Sequence, residues 1–162
     1  MIVGQDCLGQ ALIDATREVF ETMMFMTVEE CNELYEGIGG TALLGSITFQ
    51  GKIEGCLGIC CSLDAARTIA KNMMGMNTRE DLCEEEIADA LGEVANMVMG
   101  SIKHRVAASG ADIQVSIPTV VSGTELHNSL GDDAWEISRM VSLDDAPARL
   151  ILLYRESAGS KG

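Results

Sequence analysis

Residues 89–100 read Asp-Ala-Leu-Gly-Glu-Val-Ala-Asn-Met-Val-Met-Gly and lie within a helical pattern that extends from about residue 83 to residue 109. Successive residues of a helix are rotated by roughly 100° about its axis, so four positions fall within about 60° of one another on one side. These positions are Asp89, Glu93, Asn96 and Gly100. The opposite side carries the apolar residues Ile87, Leu91, Val94, Val98 and Ile102. The pattern predicts a long amphipathic helix with a core stripe and a polar ridge, the ridge being formed by residues 89, 93, 96 and 100.

The polar ridge differs from an ordinary solvent-facing helix surface, which usually carries long charged side chains. Asparagine is a mediocre helix former, and a glycine in a helix interior costs about 1 kcal/mol relative to alanine. Both residue types occur in the middle of this helix, at Asn96 and Gly100. We therefore expect the ridge to insert into a partner, with Asn96 beside the reacting group and Gly100 providing clearance.

The composition restricts the class of protein and its partners. A length of 162 residues favours one domain, and a hydrophobic content of 47% is enough to fill a core. The net charge of −14 argues against nucleic acid or an anionic membrane as a partner, because both need clustered Lys and Arg. No apolar run reaches the ~18 residues of a transmembrane helix, and the first residues lack the basic region of a signal peptide. We expect a soluble cytoplasmic protein.

The six cysteines raise the question of disulfides or metal binding. A reducing compartment disfavours disulfides. Cys56, Cys60 and Cys61 fall in one predicted strand, and the chain has no Cys-x-x-Cys pair of the kind that binds zinc. The thiols are therefore predicted to behave as small buried hydrophobes, and neither a metal site nor a cofactor site is predicted.

The order of helical and strand patterns predicts the fold. In chain order these are a helix at 5–25, an ambiguous extended segment at 27–35, a hairpin of strands 41–49 and 52–62, helices at 63–76 and 83–109, and strands at 112–122, 134–143 and 148–156. The last three strands are expected to form an antiparallel meander. The prediction is an α+β domain over residues 1–156, with long helices packed on one face of an antiparallel β-sheet. Residues 157–162 are predicted to be a disordered tail.

Two of the predicted helices share an internal repeat, offset by 75 residues. The first helix matches the ridge helix at Asp14, Ala15, Glu18 and Val19. Each helix leads into a β region, as a duplicated α–β unit would. The copies differ on the ridge, because Glu21 corresponds to Asn96 and Phe25 corresponds to Gly100. Phe25 is therefore expected one turn beyond Glu21 on the same helical ridge.

The motif Asp89-x-x-x-Glu93-x-x-Asn96, followed by Ser116-Ile117-Pro118-Thr119, resembles the signature of the CheC/CheX/FliY phosphatases of bacterial chemotaxis. Residues 15–23, 51–55 and 64–75 also resemble CheX proteins, so the likeness covers roughly residues 6–155. CheC-like members can carry the motif on both repeat helices, whereas CheX members carry it on the second alone. The departures at Glu21 and Phe25 match the CheX pattern.

The resemblance implies a phosphatase that acts on the phosphoaspartate of a CheY-type receiver domain. Asn96 would position the attacking water, because its amide oxygen accepts a hydrogen bond while its nitrogen donates one to a phosphoryl oxygen. Glu93 would form a charged hydrogen bond to the active-site lysine of the receiver. The phosphatase would need no cofactor of its own, since the receiver would supply Mg²⁺ and most of the charge stabilisation.

Further residues are predicted to contact the phosphorylated receiver, namely Asp89, Gly92, Gly100 and Lys103. Asp89 is equally consistent with a solvated helix residue, and Lys103 with a surface residue. Pro118 is assigned a structural role at the edge of a strand. The resemblance also implies a homodimer. The alternative function is a non-catalytic module that binds a response regulator, or a scaffold, in a chemotaxis or flagellar signalling pathway.

Overall fold

The computed structural model describes residues 4–31, 38, 40–75, 81–108, 110, 112–124, 126 and 129–158. In that part of the chain the helices are α1 (Gln5–Met23), α2 (Leu63–Met73) and α3 (Glu84–Ala107). The strands are β1 (Val28–Glu30), β2 (Ala42–Gly51), β3 (Ile53–Ser62), β4 (Ile113–Val115), β5 (Thr119–Gly123), β6 (Trp135–Leu143) and β7 (Ala146–Glu156). They form one antiparallel sheet, which confirms the predicted α+β class.

The strand order across the sheet is β1-β6-β7-β3-β2-β4, and β5 also pairs with β2. Strands β2 and β3 form the predicted hairpin, in which Phe49 lies opposite Gly55. The predicted meander is wrong, because β4 and β5 lie at one edge beside β2 while β6 and β7 pair with each other on the other side of β3. Periodicity identifies a strand but not its neighbour, and strands that follow each other in the chain are neighbours in only about two-thirds of cases.

The helices cover one face of the sheet, and their apolar sides form a single core with it. The core stripe of α3 is confirmed, because none of its members is more than 1% exposed: Ile87, Leu91, Val94, Val98 and Ile102. On the opposite face, Ile38 and Leu126 from the connecting segments pack on Ala42, Leu44 and Cys60. On the helical face, the outer sides of the three helices are therefore the surfaces that a partner can reach.

Local signals set the ends of the helices. The hydroxyl of Ser62 caps α2 by accepting the N–H of Ala65 at 3.1 Å. Gly75 and Gly110, which follow α2 and α3, have φ of 65° and 82°, the left-handed conformation that ends a helix. Helix α1 ends at Met23, two residues earlier than predicted, and Phe25 has φ of 55°. The expectation that Phe25 lies on a helical ridge is therefore wrong.

The strand order is symmetric with respect to the two halves of the chain. The first half contributes α1, β1, β2 and β3, and the second contributes α3, β4 with β5, β6 and β7. In this arrangement β1 corresponds to β5, β2 to β6 and β3 to β7. Replacing each strand by its counterpart turns the order β1-β6-β7-β3-β2-β5 into β5-β2-β3-β7-β6-β1, which is the same order read from the other end. The central pair, β7 with β3, takes one strand from each half. This is the arrangement that the predicted duplication requires, with α2 as an addition between the halves.

The segments at the ends of the predicted domain differ in part from expectation. The hydroxyl of Ser157 donates to the carbonyl of Gly51, and its N–H donates to the carbonyl of Lys52 at 3.1 Å. The prediction of a disordered tail is therefore wrong at Ser157, while residues 159–162 lie outside the described residues. The ambiguous segment 27–35 contains β1, and its residues 32–35 also lie outside the described residues. Among the described helices, none is long and apolar enough to cross a membrane.

The six cysteines differ in burial, and Cys31 is only partly buried. Cys56, Cys60 and Cys61 of β3 are buried, as predicted, and burial raises the pKa of the Cys61 thiol to about 12. Cys7 and Cys83 are exposed, so the prediction of buried thiols is wrong for these two. The described residues contain no group of three or more His, Cys, Asp or Glu side chains placed to hold a metal ion.

Candidate active site

Helix α3 presents the polar ridge on the side opposite its core stripe. Asp89, Glu93 and Gly100 are exposed, and Asn96 is half-buried. Within the described part of the chain, the side chains of Glu93 and Asn96 form no hydrogen bond or ion pair. Both groups are therefore available to a partner, and the Asn96 amide offers a donor and an acceptor together.

The glycines of α3 lie in different surroundings. A Cβ atom added at Gly100 would meet no atom within 4 Å, so the ridge is open there. Gly92 is buried, and a Cβ atom at this position would lie 3.5 Å from Val120 and 3.6 Å from Pro118. The structure thus places Gly92 beneath the segment that contains Pro118 and not among the residues that a partner reaches, contrary to its predicted role as a partner contact. Lys103 is half-buried beyond Gly100, and its contact with a partner stays a prediction.

One flank of α3 is formed by residues 116–118, between β4 and β5. Ser116 holds this segment on β2, because its hydroxyl accepts the N–H of Thr48 at 3.1 Å and the hydroxyl of Thr48 at 2.8 Å. Pro118 then lies beside Gly92, which is consistent with its predicted structural role. The sequence motif contained Ser116, but only the tertiary contact shows that this residue positions the flank of α3.

The other flank is a groove of about 490 Å³ between α1 and α3. Glu18 crosses it, accepting the hydroxyl of Ser101 at 2.9 Å and a guanidinium N–H of Arg105 at 2.6 Å. The hydrogen bond from Ser101 and then that from Arg105 lower the pKa of the Glu18 carboxyl. Sequence reasoning missed Ser101 and Arg105, because nothing in either helix taken alone indicates a contact between residues 83 and 87 positions apart.

The fold and the ridge define a class of protein, an α+β domain with two related helix–sheet halves that carries its candidate site on the second of the two related helices. The particular family follows from comparison with known proteins. The family model described as Chemotaxis phosphatase CheX matches residues 43–137, which is more than half of the chain and includes the whole polar ridge. The chain belongs to the CheX family of chemotaxis phosphatases.

Individual relatives agree with this assignment. The CheY-P phosphatase CheX of Thermotoga maritima is 33% identical over 85 residues, 52% of this chain and 54% of that protein. The chain thus matches about half the length of this curated relative. The crystal structure of the chemotaxis protein CheX from Vibrio vulnificus has a TM-score of 0.77 and 25% identity, with 91% of this chain and 96% of that chain covered. The CheX–CheY–BeF3–Mg²⁺ complex from Borrelia burgdorferi contains the same fold, with a TM-score of 0.73, 20% identity, and 91% and 97% coverage.

Proposed function

We propose that this protein hydrolyses the phosphoaspartate of a CheY-type receiver domain, with the polar ridge of α3 placed against the phosphorylated site. The observation that carries the proposal is the ridge itself, where Glu93 and Asn96 lie one turn apart with no hydrogen bond elsewhere in the described chain. The family membership and the activity in the name of the Thermotoga maritima relative support a phosphatase. The complex of the Borrelia burgdorferi CheX with CheY supports a receiver as the partner.

Asn96 supplies the geometry that this hydrolysis needs. A water molecule attacks phosphorus, the bond from phosphorus to the aspartyl oxygen breaks, and the carboxylate leaves as inorganic phosphate forms with the proton from water. The Asn96 amide oxygen accepts a hydrogen bond from that water, and its nitrogen donates to a phosphoryl oxygen. An amide does not titrate near neutral pH, so Asn96 contributes orientation and not general-base catalysis.

Glu93 contributes to binding, and the receiver contributes the stabilisation of charge. An exposed carboxylate on the same ridge is suited to a charged hydrogen bond with a cationic side chain, here the active-site lysine of the receiver. Such a bond fixes the depth and angle at which α3 enters. We propose that Mg²⁺ belongs to the receiver, where it stabilises the charge of the phosphoryl group. The residues of this chain then only bind and orient.

The test is the rate at which a phosphorylated receiver releases phosphate with and without this protein. The wild type should accelerate release, and Asn96→Ala should lower that acceleration by about 100-fold or more, because the water loses its position. The matched control is Asn72→Ala, which removes a half-buried helical asparagine from α2 and should leave the rate unchanged. A wild-type rate for Asn96→Ala would contradict the mechanism.

The same assay separates the enzyme from a non-catalytic module. A receiver that binds the wild type but loses phosphate at its own rate would show that the protein is a response-regulator-binding or scaffolding module. The proposed homodimer is a separate question, which light scattering of the purified protein answers directly.

A further inference from the structure

Phe25 is placed where the fold gains little from a phenylalanine. Its side chain is 85% exposed, while its neighbours Met24 and Met26 are 1% and 2% exposed. Its φ of 55° lies in the left-handed region, which is strained for a bulky side chain. The exposed ring therefore neither packs in the core nor suits its backbone conformation.

The left-handed turn itself has a clear structural role. It closes α1, since the N–H groups of Met24 and Met26 both bond to the carbonyl of Phe20, at 3.2 and 3.0 Å. It also sends Met24 and Met26 into the core. Glycine or asparagine would serve at such a position without the strain or the exposed ring. The turn thus explains the backbone at Phe25 but not the aromatic side chain.

Phe25 is close in the chain to Met23, which lies in the groove beside α3. Met23, which is 54% exposed, lines the same groove as Met97, the residue next to Asn96 in α3. The Cα atom of Phe25 lies at most about 7 Å from that of Met23, because only Met24 lies between them in the chain. Met23 and Phe25 form what we call the α1 patch, two exposed apolar residues at the end of α1, of which Met23 shares a groove with Met97.

We propose that the α1 patch is a docking contact for the receiver domain that meets the polar ridge, with Phe25 as its anchor. This inference rests on the proposed function. A stable interface buries about 800 Å² on each partner, far more than a single helical ridge offers, so a receiver seated on α3 must also cover a flank. Exposed aromatic side chains are typical anchors of such interfaces. Backbone strain at an exposed residue is expected where the residue serves binding and not folding.

The test compares how phosphate release depends on receiver concentration in three variants. Phe25→Asn keeps a residue that tolerates positive φ but removes the ring, so the half-saturating concentration should rise about tenfold or more while the maximal rate stays unchanged. Phe25→Tyr retains the ring and should stay near the wild type. Trp135→Ala removes another exposed aromatic side chain, from β6, and should have no effect.

A second measurement separates this inference from the proposed function. Titration with a receiver carrying beryllofluoride, a phosphate analogue, measures binding without turnover. Weaker binding by Phe25→Asn supports the patch even if the wild type proves inactive. If Phe25→Asn has the same half-saturating concentration and the same affinity as the wild type, the inference is overturned and the proposed function stays intact. A receiver that does not bind the wild type would overturn both. A loss of self-association in Phe25→Asn, with receiver binding unchanged, would show that a second copy of the chain occupies the patch.

Discussion

The two halves of this protein carry related helices, α1 and α3, that lie side by side and use the same residue types differently. Glu93 of α3 is exposed and unbonded within the described residues, whereas its counterpart Glu18 in α1 accepts hydrogen bonds from Ser101 and Arg105. One copy of the glutamate therefore joins the two helices, and the other copy is available to a partner. Position within a repeat does not by itself define what a residue does.

The helices also differ beyond the glutamate. Glu21 occupies the position that corresponds to Asn96, so α1 offers a carboxylate where a phosphoryl group would have to approach. Helix α1 then ends at Met23, before the position that corresponds to Gly100. The first half thus lacks both the amide and the open helical surface. We infer that its residues support the neighbouring site instead of forming a second one.

The strongest test of this comparison transfers the amide to the first half. The Asn96→Ala variant should have lost about 100-fold or more of the acceleration. Adding Glu21→Asn to it should restore no phosphatase activity, because Glu18 stays bonded to α3. Phosphate release from the receiver measures the outcome, and circular dichroism checks that both variants are folded. Measurable turnover in the double variant would show that α1 can form a site and that the comparison fails.

The matched glutamates give an intermediate effect. Glu93→Ala should weaken receiver binding by about 1.5–3 kcal/mol if its charged hydrogen bond is desolvated, and by less at high salt. Titration with the phosphorylated receiver measures the change, with Glu18→Ala as the control that should leave affinity nearly unchanged. Equal affinity losses in both variants would contradict the difference between the two helices.

Glu18→Ala should instead change the pH dependence of folding stability. The pKa of Glu18 is lowered in the folded protein by Ser101 and then Arg105. The stabilisation from these contacts is therefore present above the unfolded-state pKa and is lost as pH falls through the folded pKa. Thermal unfolding at neutral and acid pH should show a small difference between wild type and variant that disappears at acid pH. The pair is exposed to solvent, so the effect is slight.

The glycines of α3 provide the smallest contrast in stability. Gly100→Ala and Gly92→Ala should each stabilise the helix by up to about 1 kcal/mol, because alanine is the better helix former and neither Cβ atom would be crowded. Only Gly100→Ala changes the polar ridge, so it alone should reduce the phosphatase rate. Denaturant unfolding and phosphate release measure the two effects. If Gly92→Ala lowers the phosphatase rate as much as Gly100→Ala does, the loss in Gly100→Ala is not caused by reduced clearance on the ridge.

Several features were predictable because they depend on local periodicity. The core stripe of α3 and the β2–β3 hairpin follow from apolar spacing and a short polar connection, and both agree with the structure. The α+β class follows from the order of elements. The position of β4 and β5 beside β2 was not predictable, because pairing between distant strands depends on the packing of the whole sheet.

The candidate site shows the same division between local and tertiary information. The sequence by itself determined that Glu93, Asn96 and Gly100 share one side of a helix, since 3.6 residues per turn leave no other arrangement. Tertiary structure alone decided that Gly92 lies under Pro118, that Glu18 is held by α3, and that Phe25 leaves the helix. The first two outcomes depend on contacts between segments far apart in the chain, and the third depends also on the burial of Met24 and Met26 in the core. No local pattern contains the energies of these contacts.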